Sequence, residues 1–191
     1  MLEPSSISAR MKVQGVIVLL ISVCSVASSF GSCPSEKLFA PCFCVPKEDI
    51  AGFENEIHCY KVSLDLKLYF YGLSKKLANH KKNFRLLILK DVHLEHLQPT
   101  TFHDMNFESI EFVNTKFKTI DEDAFKGTDQ VTNYLRIENS KLTSHDLELF
   151  SEINKFKSLT DLVIINNTIK TLPEDAFSNS LAHLSIKPSC M

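Results

Sequence analysis

Glycine is scarce in this chain, five residues in all, and that scarcity removes several chemistries at once. There is no glycine-rich phosphate-binding loop and no Gly-x-Ser-x-Gly turn to expose a serine nucleophile. Nor does any Cys–His arrangement read as a nucleophile with its base. Charge of one sign is also lacking. The formal net charge is −2 and no basic stripe stands out, which argues against a nucleic-acid partner. After Ser35, no apolar run approaches the roughly 20 residues that a membrane-spanning helix needs. These absences argue against an enzyme, and no cofactor is implied. The composition, 44% hydrophobic and 23% charged, is still that of a globular chain with room for one ordinary domain.

The one long apolar run is at the start. Arg10 and Lys12 precede Val13–Ala27, and small residues follow at Ser25, Ala27, Ser28 and Ser29. A basic start, an apolar middle and a small-residue exit read as a secretory signal peptide over residues 1–27. The mature chain is then expected to be secreted and extracellular, without a membrane span.

What the chain does have is a period. The apolar triplets Leu87-x-Leu89, Ile110-x-Phe112, Leu135-x-Ile137, Leu162-x-Ile164 and Leu184-x-Ile186 are offset by 23, 25, 27 and 22 residues. Each of the first four is followed by a further apolar residue (Leu94, Phe117, Leu142, Ile169) and then by a phenylalanine: Phe102, Phe125, Phe150 and Phe177. Self-similarity at this spacing predicts a solenoid, in which each unit buries its apolar face only against its neighbours. Period-two alternation makes each triplet a short strand of a parallel sheet. The phenylalanines are expected to stack under the return paths as a spine. Asp121-Glu-Asp123 and Glu174-Asp175 stand where carboxylates can cap a short helical turn.

Four cysteines cluster ahead of the repeats as Cys33, Cys42, Cys44 and Cys59. In an oxidising compartment an even cluster reads as two disulfides, and spacing alone leaves three pairings open. Zinc is the rival reading, but Cys-x2-Cys spacing is missing. A stapled cap meets a physical need, because the first coil of a solenoid has one face without a neighbour. Cys190 is left without a partner. With the fifth repeat incomplete, this suggests that residues 188–191 begin a truncated C-terminal segment.

The stretch Leu159-Thr-Asp-Leu-Val-Ile-Ile-Asn-Asn-Thr-Ile-Lys-Thr-Leu-Pro-Glu-Asp-Ala-Phe177 resembles an extracellular leucine-rich repeat, and the cysteine cluster resembles the N-terminal cap of that family. The irregular spacing and Asp-Ala-Phe endings are most similar to secreted arthropod proteins of this class, among them relatives of the non-catalytic subunit of a shrimp luciferase. The resemblance implies an α/β solenoid, a horseshoe with short parallel strands on its concave face and turns or short helices on its convex side. It implies the pairing Cys33–Cys44 and Cys42–Cys59. It also implies an asparagine ladder at positions occupied here by Val92, Thr115, Ser140 and Asn167. Only the last matches, so the first repeat is expected to be looser.

The resulting division is a signal peptide over residues 1–27, a disulfide-rich cap over 28–61, an irregular return path over 62–83 and repeats over 84–187. Ile57-His-Cys59 reads as the last strand of the cap. Within 62–83, Leu64, Leu66, Leu68, Leu73 and Leu77 alternate with Lys and Tyr as in a strand, while Leu66, Phe70, Leu73 and Leu77 also fit one helical face, which suggests a strand-to-helix return path. His93, His96 and His103 fall on the outer path, without a metal-binding spacing. Asn166-Asn167-Thr168 makes Asn166 the one glycosylation candidate.

The side chains flanking each buried pair should point out of the sheet. The candidate binding face is therefore Ile88, Lys90, Glu111, Val113, Tyr134, Arg136, Glu138, Asp161, Val163 and Ile165. Tyr134 with Ile88, Val163 and Ile165 could form an apolar anchor inside a polar rim, and Glu111 should stand beside Arg136. The function this suggests is a secreted binding module that recognises an extracellular protein or glycan through its concave face. A non-catalytic accessory subunit with an enzyme partner, or a fragment of a receptor ectodomain, are the alternatives.

Overall fold

A computed structural model describes residues 32–142, 147–169, 177 and 181–188. The expected signal peptide, Glu174-Asp175 and Cys190 lie outside the described residues. The elements run β1 (Phe43–Val45), β2 (Glu54–Tyr60), α1 (Leu66–Lys76), β3 (Asn83–Lys90), β4 (His93–Leu97), β5 (Asn106–Val113), β6 (Lys116–Ile120), β7 (Tyr134–Glu138), α2 (Leu147–Asn154), β8 (Asp161–Asn167) and β9 (His183–Pro188). One sheet has seven strands in the order β1-β2-β3-β5-β7-β8-β9. From β2 onwards all its pairings are parallel, and β1 joins antiparallel. The chain is a parallel-strand solenoid of about four turns with few helices.

The triplets fall into register. Ile57, Leu87, Ile110, Leu135, Leu162 and Leu184 are successive partners, as are Cys59, Leu89, Phe112, Ile137, Ile164 and Ile186. From Ile57 to Leu162 the first row is 0% exposed. Burial of each such side chain contributes about 2 kcal/mol. Ladders of hydrogen bonds carry the same register along the backbone, and they extend the strands well beyond three residues. β3 and β5 have eight each.

β2, β3, β5 and β7 are each followed by a residue with left-handed backbone, Lys61 (φ 52°), Asp91 (55°), Asn114 (51°) and Asn139 (51°), and Asn166 (52°) holds the equivalent place near the end of β8. Asparagine and aspartate tolerate this region better than other non-glycine residues. Their side chains also link the coils: Asn114 Nδ2 donates to Asp91 Oδ1 at 2.8 Å, and Asn139 Nδ2 to Asn114 Oδ1 at 2.6 Å.

One residue further on is the ladder position. Asn167 Oδ1 accepts from the N–H of Ser140 (3.0 Å) and of Leu142 (3.2 Å), and its Nδ2 donates to the carbonyls of Ile137 and Ile165. Thr115 Oγ1 donates to the Leu89 carbonyl at 2.8 Å. Val92 cannot do this. It is nonetheless 1% exposed, and its turn is closed by the Asp91 N–H donating to the Val113 carbonyl at 2.9 Å. The first repeat thus keeps its turn by a backbone bond and an apolar contact.

The return paths differ from coil to coil. α1 lies between β2 and β3 and buries Leu66, Phe70, Leu73 and Ser74. Its N-terminus is capped by Asp65, whose Oδ1 accepts the Leu68 N–H at 2.9 Å, and Lys75 and Lys76 stand in its last turn. The next two return paths carry β4 and β6, which pair with each other in a second, two-stranded sheet. The fourth, between β7 and β8, carries α2.

The phenylalanine spine exists, but with a different membership. Ring contacts run Phe70–Phe102 (5.3 Å), Phe102–Phe125 (5.7 Å) and Phe125–Phe156 (5.2 Å), while Phe150 meets Phe177 (5.8 Å). The third repeat is the longest, and its extra residues form α2. Phe150 is inside that helix and Phe156 just past its end, so Phe156 occupies the next place along the row.

At the N-terminal end Cys33 is bonded to Cys44 and Cys42 to Cys59, across separations of 11 and 17 residues. Loops of this size restrict the unfolded chain enough to stabilise the fold by about 3 kcal/mol each. Phe39, 0% exposed, packs edge-on against Phe84 at 6.3 Å. The Tyr69 hydroxyl donates to the Phe39 carbonyl at 2.8 Å, which ties α1 to the cap. Burial pushes the Tyr69 phenol well above its ordinary value. Among the described residues no helix is long and apolar enough to cross a membrane.

Candidate binding surface on the open sheet

Only one face of the seven-stranded sheet is packed. The other carries three aligned rows of side chains, because period-two alternation turns every second residue away from the core. The first row is Val45, Glu56, Leu86, Ser109, Tyr134, Asp161 and His183. The second is Phe43, His58, Ile88, Glu111, Arg136, Val163 and Ser185. The third is Tyr60, Lys90, Val113, Glu138, Ile165 and Lys187. All ten residues of the expected face therefore lie on one continuous surface, in the expected columns.

The structure adds residues that the repeat spacing did not include. β2 is both the last strand of the cap and the first parallel strand of the solenoid, so Glu56, His58 and Tyr60 belong to this surface. β1 extends it to Phe43. The signal was present as Ile57-x-Cys59, the same apolar-x-apolar triplet as in the repeats, with a cysteine in place of a leucine. Phe43 is 56% and Tyr60 40% exposed, an unusual degree for large apolar groups on an ordered strand.

Polar groups on the surface are organised in two clusters. At the N-terminal end His58 Nε2 donates to Glu56 at 2.8 Å, and Nδ1 accepts from the Tyr60 hydroxyl at 2.9 Å. The two rings meet edge to face at 5.8 Å. Lys47 reaches Glu56 at 3.6 Å. Fixed in this way, the imidazole and phenol hold a rigid, part-aromatic ledge beside Phe43.

In the middle, Glu111 and Arg136 are register partners, as expected. The guanidinium, however, donates through Nε (3.1 Å) and Nη2 to Glu138 on its own strand. Residues two apart on a strand share a face, and a fork of donors matches one carboxylate better than two. Glu138 and then Glu111 hold the Arg136 guanidinium still more firmly protonated. Burial pushes the Glu111 carboxyl above its usual range; Arg136 opposes that effect, and Glu138 adds to it.

Between these clusters lies a shallow depression of about 270 Å³ lined by Glu56, Arg85, Leu86, Glu108, Ser109, Glu111 and Tyr134. Its form suits a single inserted side chain rather than an enclosed substrate. At the far end Val163 and Ile165 stand partly exposed. Asn166, exposed and left-handed, borders the row at Ile165.

Among the described residues no three His, Cys, Asp or Glu side chains are grouped so as to hold a metal ion. His96 Nδ1 is hydrogen-bonded to Thr119 Oγ1 at 2.6 Å, and His103 meets Tyr71 in a tilted ring contact, both away from the open sheet.

The fold and this surface define a class: a parallel-strand solenoid, closed at its N-terminal end by two disulfides, with one sheet face left open. No protein-family model, no curated protein and no solved structure matches the chain, so the class rests on its own register, burial and hydrogen bonding.

Proposed function

We propose that this chain is an extracellular leucine-rich-repeat module that binds another protein through the open face of its sheet. The observation that carries the reading is the row pattern of that face. Exposed Phe43 and Tyr60, with Ile88 and Tyr134, sit among hydrogen-bonded charged groups on a sheet face that no other described element covers. Aromatic and aliphatic anchors inside a polar rim are the usual anatomy of a protein-binding patch. A preordered sheet also loses little conformational freedom when it binds.

Two disulfides support an extracellular setting, since such bonds persist in oxidising compartments. The Asn167 ladder and the triplet register support the leucine-rich-repeat assignment. A sugar on Asn166 would stand at the edge of the binding face beside Ile165 and leave Phe43 and Tyr60 clear.

Affinity capture from the extracellular fluid of the source tissue, using the full secreted chain as bait, tests the reading. Phe43→Ala, Tyr134→Ala and Ile165→Asp should each weaken capture of the partner by about tenfold or more, the cost typical of a truncated anchor. A partner retained undiminished by all three variants would exclude the open sheet as the main contact.

A further inference from the structure

Helix α1 presents a second surface, on the far side of the molecule. Its buried residues Leu66, Phe70 and Leu73 belong to the same core as the sheet, and Phe70 touches Phe107 at 5.7 Å. The helix therefore covers the packed side, and its outward face points away from the open sheet. That face carries Lys67, Leu68, Tyr71 and Lys75.

Three observations set it apart. Leu68 is 68% exposed and Tyr71 48%. The helix is already anchored by its other face, so neither side chain is required there for folding. The Tyr71 ring is nonetheless held in place: it contacts His103 at 5.2 Å, and Lys75 Nζ lies 5.3 Å over it.

Second, a depression of about 360 Å³ separates the helix from the following return path, with Leu68, Tyr71, Gln98 and His103 in its wall. His103 Nε2 is buried and has no hydrogen-bond partner.

Third, the charge is one-sided. Lys67, Lys75 and Lys76 make no ion pair among the described residues. Asp65, the acid at the rim, has one oxygen engaged as the helix cap.

We propose that the outward face of α1 docks an acidic segment of a partner protein, one that carries an aromatic or aliphatic side chain between its carboxylates. The apolar side chain rests on Leu68 and Tyr71 in the depression. The flanking carboxylates meet Lys67 and Lys75. A sulfated glycan would match the lysines but leave Leu68 without a contact. A lipid surface needs a broader apolar stripe than two side chains provide. Because this face and the open sheet are on opposite sides, the chain can hold two partners at once and bridge them.

The experiment is a titration of the isotope-labelled full chain with a short synthetic peptide alternating glutamate and phenylalanine, followed by amide chemical shifts. Shifts should cluster on α1, Gln98 and His103. The double variant Lys67→Glu/Lys75→Glu and the single variant Leu68→Asp should each weaken the affinity by at least about tenfold without lowering the melting temperature. Tyr134→Ala on the open sheet should leave it unchanged. The proposal is overturned if the peptide does not bind, if its shifts map elsewhere, or if a lysine–phenylalanine peptide binds as well. It is equally overturned if heparin or phosphatidylserine vesicles engage these amides more tightly than the acidic peptide.

Discussion

The two ends of the solenoid treat the same side chains differently. At the N-terminal end the core row begins with Ile57 and Cys59, both 0% exposed, because Phe39, Cys42 and two disulfides stand over them. At the other end Leu184 occupies the equivalent position on β9 and is 48% exposed. One coil earlier Leu162 is 0% exposed. Position within a coil does not bury a residue; the presence of something on top of it does. The cap is therefore an energetic substitute for a coil, built from covalent bonds and one phenylalanine because so few residues cannot supply a core of their own.

The largest effect that sharpens this contrast comes from the cap. Replacing Cys42 and Cys59 together by serine should lower unfolding stability by about 3 kcal/mol, measured by denaturant titration. It should also make the amides of β2 exchange as readily as those of β9. Persistence of slow exchange in β2 would break the comparison.

Next is the pair of leucines. Leu162→Ala should cost about 3 kcal/mol by loss of buried surface and creation of a cavity. Leu184→Ala, at a half-exposed position, should cost under about 1 kcal/mol. Equal costs would mean that Leu184 is as well packed as Leu162.

Asn167 tests how the last coils are joined. Asn167→Ala leaves the N–H groups of Ser140 and Leu142 without their acceptor and should cost about 2 kcal/mol in thermal unfolding. At the equivalent place near the other end, Val92→Thr removes no hydrogen bond, and the hydroxyl can donate to a carbonyl as Thr115 does. It should cost less than about 1 kcal/mol.

The smallest effect is electrostatic. Burial raises the Glu111 carboxyl above its ordinary range. A carboxyl that holds its proton more tightly when folded contributes stability below its unfolded pKa and loses it as pH climbs to the folded one. Glu111→Gln should thus stabilise the chain by roughly 0.5 kcal/mol at neutral pH and not at all in acid. Melting temperatures at pH 3 and pH 7 on the order of a degree apart in their response would register it.

Much of this architecture can be read from the triplets. They alone carry the period, and a parallel register follows once each is a strand, which is why all ten residues named for the open face fall in their columns. The helix over Leu66–Lys76 was equally legible as one apolar face of Leu66, Phe70, Leu73 and Leu77. What spacing hid has physical causes. Ile57-His-Cys59 reads as the cap's last strand, but with a cysteine in the second place it does not count among the repeats, so Glu56, His58 and Tyr60 were left off the open face. β4 and β6 were missed because strands in a return path are fixed by pairing with each other, a contact some 23 residues apart in sequence. The Arg136–Glu138 pair was missed because register brings Glu111 beside Arg136 without saying which carboxylate the fork will choose. Phe156 entered the spine because α2 consumed the length that spacing assigned to an ordinary turn.

The unequal periods of 23, 25, 27 and 22 residues sit on a sheet whose triplets stay in register from Leu87 to Leu184, with one shift past them, between Ile165 and Asn167. The variation in length among the first three periods is taken up on the far side, in the β4–β6 pair and α2. Insertions and deletions there can accumulate without re-aiming a single side chain on the open face, whereas one residue gained inside a strand would invert every row after it. The molecule thus separates what can drift from what must stay aligned. A loop grafted onto the return path of the third coil would be the least disruptive way to give it a new property.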